Sequence, residues 1–148
     1  MVRDTSQLVA RRATRILGRL PKFRQEPLSD EVNALLGSAG LKPSEKVFGF
    51  YGNDDSSMRE TVFVTSLRVL IYSTGWRSVW YDEISSVPAP SKAAANGLEI
   101  IQTNGRTVFV PFRGSHGRFR DAFVLLEFLN WVKRDRANAS DVGDVHEE

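Results

Sequence analysis

The sequence predicts a mainly β fold with additional helices, namely an antiparallel barrel or sandwich of six to seven strands that a C-terminal helix caps. Short runs rich in Val, Ile, Phe, Tyr and Trp recur between turn residues over about residues 46–112. The dipeptide Asn104-Gly105 separates two of these runs and is typical of a two-residue hairpin turn. One long helical pattern follows the strands, and two shorter helical patterns precede them.

Composition limits the class of protein. With 148 residues, 41% of them hydrophobic and 26% charged, the chain is long enough for one domain with a substantial core. It has no cysteine, which excludes disulfides and thiolate metal sites. No apolar run approaches the ~20 residues of a spanning helix, and the N-terminus lacks a secretory signal pattern. We therefore expect a cytoplasmic protein, and peripheral association with a membrane stays open.

Charge divides the chain into three parts. Residues 1–24 hold seven basic side chains and one acidic side chain, residues 25–136 are neutral, and residues 137–148 hold four acidic side chains without a Lys or Arg. This division predicts a basic amphipathic N-terminal helix or arm over 1–24, a domain over 25–136, and an acidic disordered tail over 137–148. A partner that binds this chain through charge would have to contact the basic arm.

Two helices are predicted before the strands. The first spans Ser6–Leu20, with Val9, Ala13, Ile16 and Leu17 within one apolar sector, and Pro21 ends it. The second spans Asp30–Ala39, where Ser29 is the expected N-cap and Gly40 supplies the helix-ending residue.

Seven segments have the composition and length of strands. Several of them, such as Val62-Phe63-Val64 and Val108-Phe109-Val110, are apolar on both sides, which indicates a sheet covered on both faces. The predicted strands are Lys46–Tyr51, Thr61–Thr65, Arg68–Tyr72, Arg77–Tyr81, Ile84–Val87, Leu98–Gln102 and Thr107–Phe112.

The predicted C-terminal helix, residues 118–134, has two apolar stripes on nearly opposite sides. The first consists of Phe119, Ala122, Phe123, Leu126 and Leu129; the second consists of Val124, Phe128 and Trp131. A helix that caps the sheets with one stripe would expose the other to water. We expect either the N-terminal helix or a second copy of the chain to cover it.

This order of elements resembles the pleckstrin-homology-like superfold, and within it the bacterial PH and GRAM-type domains. Glu45-Lys46-Val47 opens the first strand, the run Val62–Tyr72 looks like the family's "v-v-T-x-x-R-l-x-y" hairpin, and Val79–Ile84 is similar to its "i-x-y-x-d-I" turn. The resemblance covers about residues 42–134. It implies a scaffold whose members bind lipids or peptides or form dimers, and it implies no one activity.

The resemblance has one notable departure. Members that bind phosphoinositides carry several Lys and Arg in the first hairpin loop, whereas the loop at residues 52–59 holds two aspartates and one arginine. These aspartates would repel a phosphorylated headgroup. We therefore expect no lipid headgroup recognition at that loop.

Residues suited to catalysis are few. Ser115, His116 and Asp121 include the residue types of a hydrolytic triad, but near neighbours on one loop rarely reach its geometry. Asp54 and Asp55 lack the spacing of a calcium loop, and no glycine loop of a phosphate-binding type is present. We predict no catalytic residue, metal site, cofactor or small-molecule substrate, and hence a protein that is not an enzyme.

Two sets of residues are candidates for contact with a partner. Strand alternation predicts that Trp76 and Trp80 point outward, where each would either anchor an interface or lie beneath an accessory helix. The predicted partner-binding residues are Trp76, Trp80, Val124, Phe128 and Trp131; the predicted anionic surface-binding residues are Arg11, Arg12, Arg15 and Arg19.

The basic helix has three alternative roles. It packs on the domain with solvated arginines, it lies on an anionic membrane, or it contacts nucleic acid, for which the neutral body offers no second basic stripe. An Arg-rich, acid-poor N-terminus also resembles an organelle transit peptide. The function we predict is a non-catalytic intracellular interaction module that binds a protein partner or itself. A membrane adaptor is the first alternative, and nucleic-acid contact is the second.

Overall fold

A computed structural model gives the fold and describes residues 5–25, 27–53, 60–90, 97–113 and 120–146, with side chains described up to residue 139. The chain is mixed α/β, with two antiparallel sheets and a long C-terminal helix. The helices are α1 (Ser6–Ile16), α2 (Asp30–Leu36) and α3 (Arg120–His146), and 3-10 turns lie at Leu17–Arg19 and Tyr81–Glu83.

The strands form a five-stranded and a three-stranded sheet, and every described pairing is antiparallel. In the described ranges no strand ladder joins the two sheets, so they do not form the closed barrel that was one predicted alternative. The first sheet has the order β1 (Phe23–Gln25), β2 (Val47–Gly52), β3 (Thr61–Thr65), β4 (Arg68–Tyr72), β5 (Trp76–Trp80), and the second has the order β6 (Ile84–Ser86), β7 (Gly97–Gln102), β8 (Thr107–Pro111).

The main core is built from the inner faces of both sheets, α1 and α3. Because side chains alternate across a strand, the core residues of each strand lie at alternate positions. Burying these side chains removes apolar surface from water, which is the main force that stabilises the fold. Its strand and α3 members include Tyr51, Val62, Val64, Val69, Ile71, Val79, Leu98, Ile100, Val110, Phe112, Ala122, Leu125, Phe128, Leu129 and Val132.

Helix α1 packs on α3 and belongs to the main core. Val9 and Ala13 are almost fully buried, and Leu17 in the following turn is completely buried. The predicted alternative in which the N-terminal helix covers α3 is therefore confirmed. The predicted boundary between residues 24 and 25 falls inside β1.

Helix α2 covers the outer face of the first sheet. Val32 and Leu36 form a second core cluster with Phe63 and Leu70, which lie on β3 and β4. The predicted N-cap is confirmed, because the Ser29 hydroxyl accepts a hydrogen bond from the Val32 N–H at 3.3 Å. The helix ends at Leu36, earlier than predicted, and residues 37–39 continue as turns.

The secondary structure differs from the prediction in two further respects. Strand β1 was not predicted, because three residues are too few to show an alternating pattern. Helix α3 continues to His146 and passes through most of the predicted disordered tail. Asp135 and Arg136, just before the predicted tail, bond to other elements, and Ala139 within it is buried.

The two predicted stripes of α3 are also wrong in part. Phe128, assigned to the outer stripe, is fully buried, whereas Phe123, assigned to the inner stripe, is 41% exposed. Helix α3 is contacted by the sheets on one side and by α1 on another. Its buried surface therefore includes residues of both predicted stripes. Phe119 lies outside the described residues.

Within the described ranges, no helix is both long and apolar enough to cross a membrane.

Candidate functional site

A buried ion pair joins the beginning of β2 to β4. The Glu45 carboxylate accepts hydrogen bonds from Arg68 Nε at 2.9 Å and from Arg68 Nη2 at 3.1 Å. The Glu45 side chain is 0% exposed and that of Arg68 is 7% exposed. Two parallel bonds of this kind fix the guanidinium in one plane, which makes Arg68 a rigid element of the site.

The polar network around this pair is fully bonded. Thr65 Oγ1 donates to Glu45 Oε2 at 2.6 Å, and Arg68 donates to Ser78 Oγ and to the Gly40 carbonyl, each at 3.0 Å. No buried side-chain polar atom of the described residues lacks a hydrogen-bond partner. These groups stabilise the scaffold and leave no polar side chain of the network free for chemistry.

Burial alone would raise the pKa of Glu45. The hydrogen bond from Arg68 opposes this effect, and with bonds from Thr65 and the Lys42 N–H it lowers the pKa of Glu45 below its ordinary value. Glu45 is therefore ionised at neutral pH. An ionised carboxylate with several donors is suited to holding a guanidinium and poorly suited to accepting a proton from a substrate.

Trp80 lies against this network on the outer face of β5. The Arg68 guanidinium carbon is 4.3 Å from the centre of the Trp80 ring, and Lys42 Nζ is 5.2 Å from it. Cations at these distances are attracted to the ring face. Trp80 is half-buried, so its orientation is fixed while part of the ring stays accessible.

Trp76 lies at the other end of β5 and contacts the segment after α2. Its Nε1 donates to Ser38 Oγ at 3.0 Å, and its ring centre is 5.5 Å from that of Phe63 and 5.0 Å from that of Tyr72. The ring is also half-buried. The predicted outward orientation of Trp76 and Trp80 agrees with the burial of Val79 on the opposite face.

Strand β5 is an edge strand, and β4 is its one hydrogen-bonded neighbour among the described strands. Two bonds at the ends of this pair show which backbone groups face β4. The Tyr81 N–H donates to the Leu67 carbonyl, and the Ser73 N–H donates to the Gly75 carbonyl, each at 3.1 Å. Bonded pairs alternate along an antiparallel ladder, so the odd-numbered residues of β5 bond to β4.

The even-numbered residues Trp76, Ser78 and Trp80 therefore direct their backbone N–H and C=O groups away from the sheet. A row of outward-facing backbone groups is a template for pairing with another strand. At this edge the row is flanked by two fixed tryptophans. Sequence patterns alone do not indicate which strand lies at an edge, so this feature was not predicted.

The predicted partner-binding residues on α3 are not brought together with β5. Phe128 is in the core and contacts Tyr81 edge to face, so it has no surface to offer a partner.

Trp131 is half-buried, with Arg12 at 4.0 Å and Arg134 at 4.9 Å from its ring centre. Val124 packs against the main core and is also half-buried. Trp131 is one of four residues around a shallow depression of about 230 Å3, the others being Glu127, Asn130 and Arg134.

The four predicted surface-binding arginines divide into two pairs. Arg12 forms an ion pair with Asp135 at 3.0 Å, and Arg19 forms one with Glu127, also at 3.0 Å. Arg11 and Arg15 are exposed on α1. The apolar face of α1 is already buried within the chain, so this helix offers charge and no free apolar face.

Two further contacts fix the ends of the core. The Tyr51 hydroxyl donates to Asp121 Oδ2 at 2.7 Å, and the Tyr51 ring stacks on Phe112. Asp121 thus accepts a hydrogen bond from within the core. Ser115 and His116, as well as Asp54 and Asp55, lie outside the described residues.

Among the described residues, no group of three or more His, Asp or Glu side chains is arranged to hold a metal ion. A cleft of about 490 Å3 lies between α2 and the start of β2, but Glu45 at this cleft is already bonded to Arg68. The cleft is lined by Leu28, Asn33, Leu36, Gly37, Gly40, Leu41, Glu45 and Val47.

Comparison of the chain with protein-family models, with curated proteins and with solved structures finds no match.

Proposed function

We propose that the chain is a non-catalytic interaction module of the PH/GRAM-like type that associates with a second copy of itself through the β5 side of the first sheet. The observation that carries this proposal is the pair of half-buried tryptophans, Trp76 and Trp80, held on a strand that has no neighbour on its outer side among the described strands. Tryptophan is enriched among the residues that dominate binding energy at protein interfaces. A fixed ring loses little conformational freedom on binding, which favours association.

The PH/GRAM-like part of the proposal is supported by where the motif residues meet. Glu45 from the opening of β2 and Thr65 and Arg68 from the β3–β4 hairpin form one hydrogen-bonded network. The Tyr81 hydroxyl also reaches this hairpin, because it donates to the Thr65 carbonyl at 2.7 Å. Residues that carry the resemblance therefore act together to hold the scaffold.

We propose that the chain is not catalytic because its buried polar groups already take part in bonds within the chain. The Glu45 and Asp121 carboxylates each bond to a side chain of the same chain, and burial raises the pKa of the Tyr81 hydroxyl. A general base or nucleophile needs access to a substrate, and these groups face the interior.

Light scattering on the full chain over a range of concentrations tests this function. We expect the mean mass to rise above 16.6 kDa with concentration, and Trp80→Ala to weaken association by about 2 kcal/mol, roughly thirtyfold. Phe109→Ala is the control, because Phe109 is an exposed aromatic ring, 36% exposed, on the other sheet. A mass of 16.6 kDa at every concentration contradicts the proposal.

The second candidate is peripheral binding to an anionic membrane. It is favoured by the exposed guanidinium groups of Arg11 and Arg15 on one helix. Because the apolar face of α1 is covered, this contact would act through charge alone and would weaken as salt is raised.

A further inference from the structure

We infer that two copies of the chain pair their β5 strands edge to edge, antiparallel about a two-fold axis at Ser78, so that the two five-stranded sheets become one continuous sheet. This inference rests on the proposed function, since it names the contact and register through which the module associates. It is carried by the backbone of β5, whose outward-facing groups at Trp76, Ser78 and Trp80 have no strand beside them among the described residues.

The pairing satisfies these backbone groups completely. With Ser78 opposite Ser78 of the second copy, Trp76 lies opposite Trp80 of that copy, and Trp80 lies opposite its Trp76. All of these positions are outward-facing, so each becomes a hydrogen-bonded pair of an antiparallel ladder. The pairing also brings the tryptophans of the two copies together on one face, where cross-strand aromatic pairs stabilise a sheet.

Charge and strand length select this register over its two neighbours. Moving the two-fold axis from Ser78 to Arg77 places Arg77 directly opposite Arg77 of the second copy, and like charges at that separation are destabilising. Moving the axis to Val79 places Val79 opposite Val79 of the second copy. Trp76 then lies beside the 3-10 turn Tyr81–Glu83 of that copy, where β5 has ended. In the proposed register Arg77 lies opposite Val79 of the second copy.

A matched pair of variants at Ser78 tests the edge. Ser78→Pro and Ser78→Ala both lose the hydroxyl that accepts from Arg68, but only proline also removes the outward N–H. Proline is tolerated on an edge strand where that N–H faces solvent, so the bonds to β4 survive. In sedimentation velocity of the full chain, we expect Ser78→Ala to form dimers and Ser78→Pro to lower the association constant by about tenfold or more.

A cysteine variant tests the register and does not depend on the proline variant folding. The chain has no cysteine, so Ser78→Cys introduces a single thiol. In a hydrogen-bonded pair the Cα atoms are about 5.5 Å apart, within the range of roughly 4.4–6.8 Å that a disulfide spans. We expect Ser78→Cys to form disulfide-linked dimers under mild oxidation much faster than Thr107→Cys, an exposed control on the other sheet.

The outcomes separate this inference from the proposed function. Dimers that persist in a folded Ser78→Pro variant, or equal cross-linking of the two cysteine variants, overturn edge pairing while self-association stands. A wild-type chain that stays monomeric at every concentration overturns both.

Discussion

The carboxylate of Glu45 and the guanidinium of Arg68 meet in a two-bond ion pair with N···O distances of 2.9 and 3.1 Å inside the protein. Arg68 in turn lies 4.3 Å from the ring centre of Trp80. One interior pair thus holds in place a side chain that we assign to the interface. The scaffold and the proposed surface are coupled at this point, and the variants below separate the two.

Removing Arg68 should destabilise the chain strongly. Arg68→Met leaves the buried carboxylate of Glu45 without its main partner, and breaking a buried pair in this way costs about 3–5 kcal/mol. Urea denaturation followed by circular dichroism measures the free energy of unfolding. The control is Arg24→Met on β1 of the same sheet, whose exposed side chain should change stability by less than about 0.5 kcal/mol. An Arg68→Met variant as stable as the control would show that the pair contributes nothing.

Stability should fall in acid because of Glu45. Its pKa is lowered in the folded chain, so the folded state binds fewer protons than the unfolded state near that pKa. This contribution is fully present above the ordinary value of 4.5 and is lost as the pH falls through the lowered value. Asp82 shifts in the same direction, chiefly through its hydrogen bond to Arg136, but it is exposed and should contribute less.

Glu45→Gln isolates that contribution. The variant should be less stable than the wild type at pH 7, and its free energy of unfolding should decline less steeply as the pH falls below about 5. Denaturant melts across this range provide the slopes. Identical slopes for the two proteins would exclude Glu45 as a source of the acid sensitivity.

The N-terminal helix should be required for stability. Leu17→Ala removes a completely buried side chain at the end of α1 and should cost about 2–5 kcal/mol. Arg15→Ala is the control, since this exposed residue of the same helix should shift stability by less than about 0.5 kcal/mol. Thermal and urea melts measure both. If the two substitutions had equal and small effects, α1 would be an independent arm.

Vesicle binding distinguishes the membrane candidate. If it is correct, the full chain should bind vesicles containing anionic lipid at low salt, and replacing both Arg11 and Arg15 by Glu should abolish binding. Replacing Arg106 by Glu changes charge elsewhere on the surface, at the β7–β8 turn, and serves as the control. Co-sedimentation with anionic and with neutral vesicles gives the readout. Binding that survives the double replacement would assign the membrane contact to another surface.

Much of the fold follows from local patterns. The alternation in Trp76–Trp80 predicted the burial of Val79 and the outward orientation of the tryptophans, because one side of a strand must face the core. The single apolar sector of α1 predicted a helix packed by one face. Ser29 identified the beginning of α2 through its capping hydrogen bond.

The remaining features depend on contacts between distant parts of the chain. Glu45 and Arg68 are 23 residues apart, and nothing in their local sequence shows that they meet. The burial of Phe128 depends on how α3 packs against the 3-10 turn that holds Tyr81, and helical periodicity does not show this packing. The outward-facing groups of Trp76 and Trp80 depend on strand order, which only the folded chain reveals.

Amide hydrogen exchange at β5, measured by NMR at low and high protein concentration, tests the association most directly. We predict that the amides of Trp76, Ser78 and Trp80 exchange rapidly in dilute solution and become protected as the concentration rises. The amides of Arg77 and Val79, which bond to β4, should be protected throughout. Rapid exchange of the three outward-facing amides at every concentration would contradict the account.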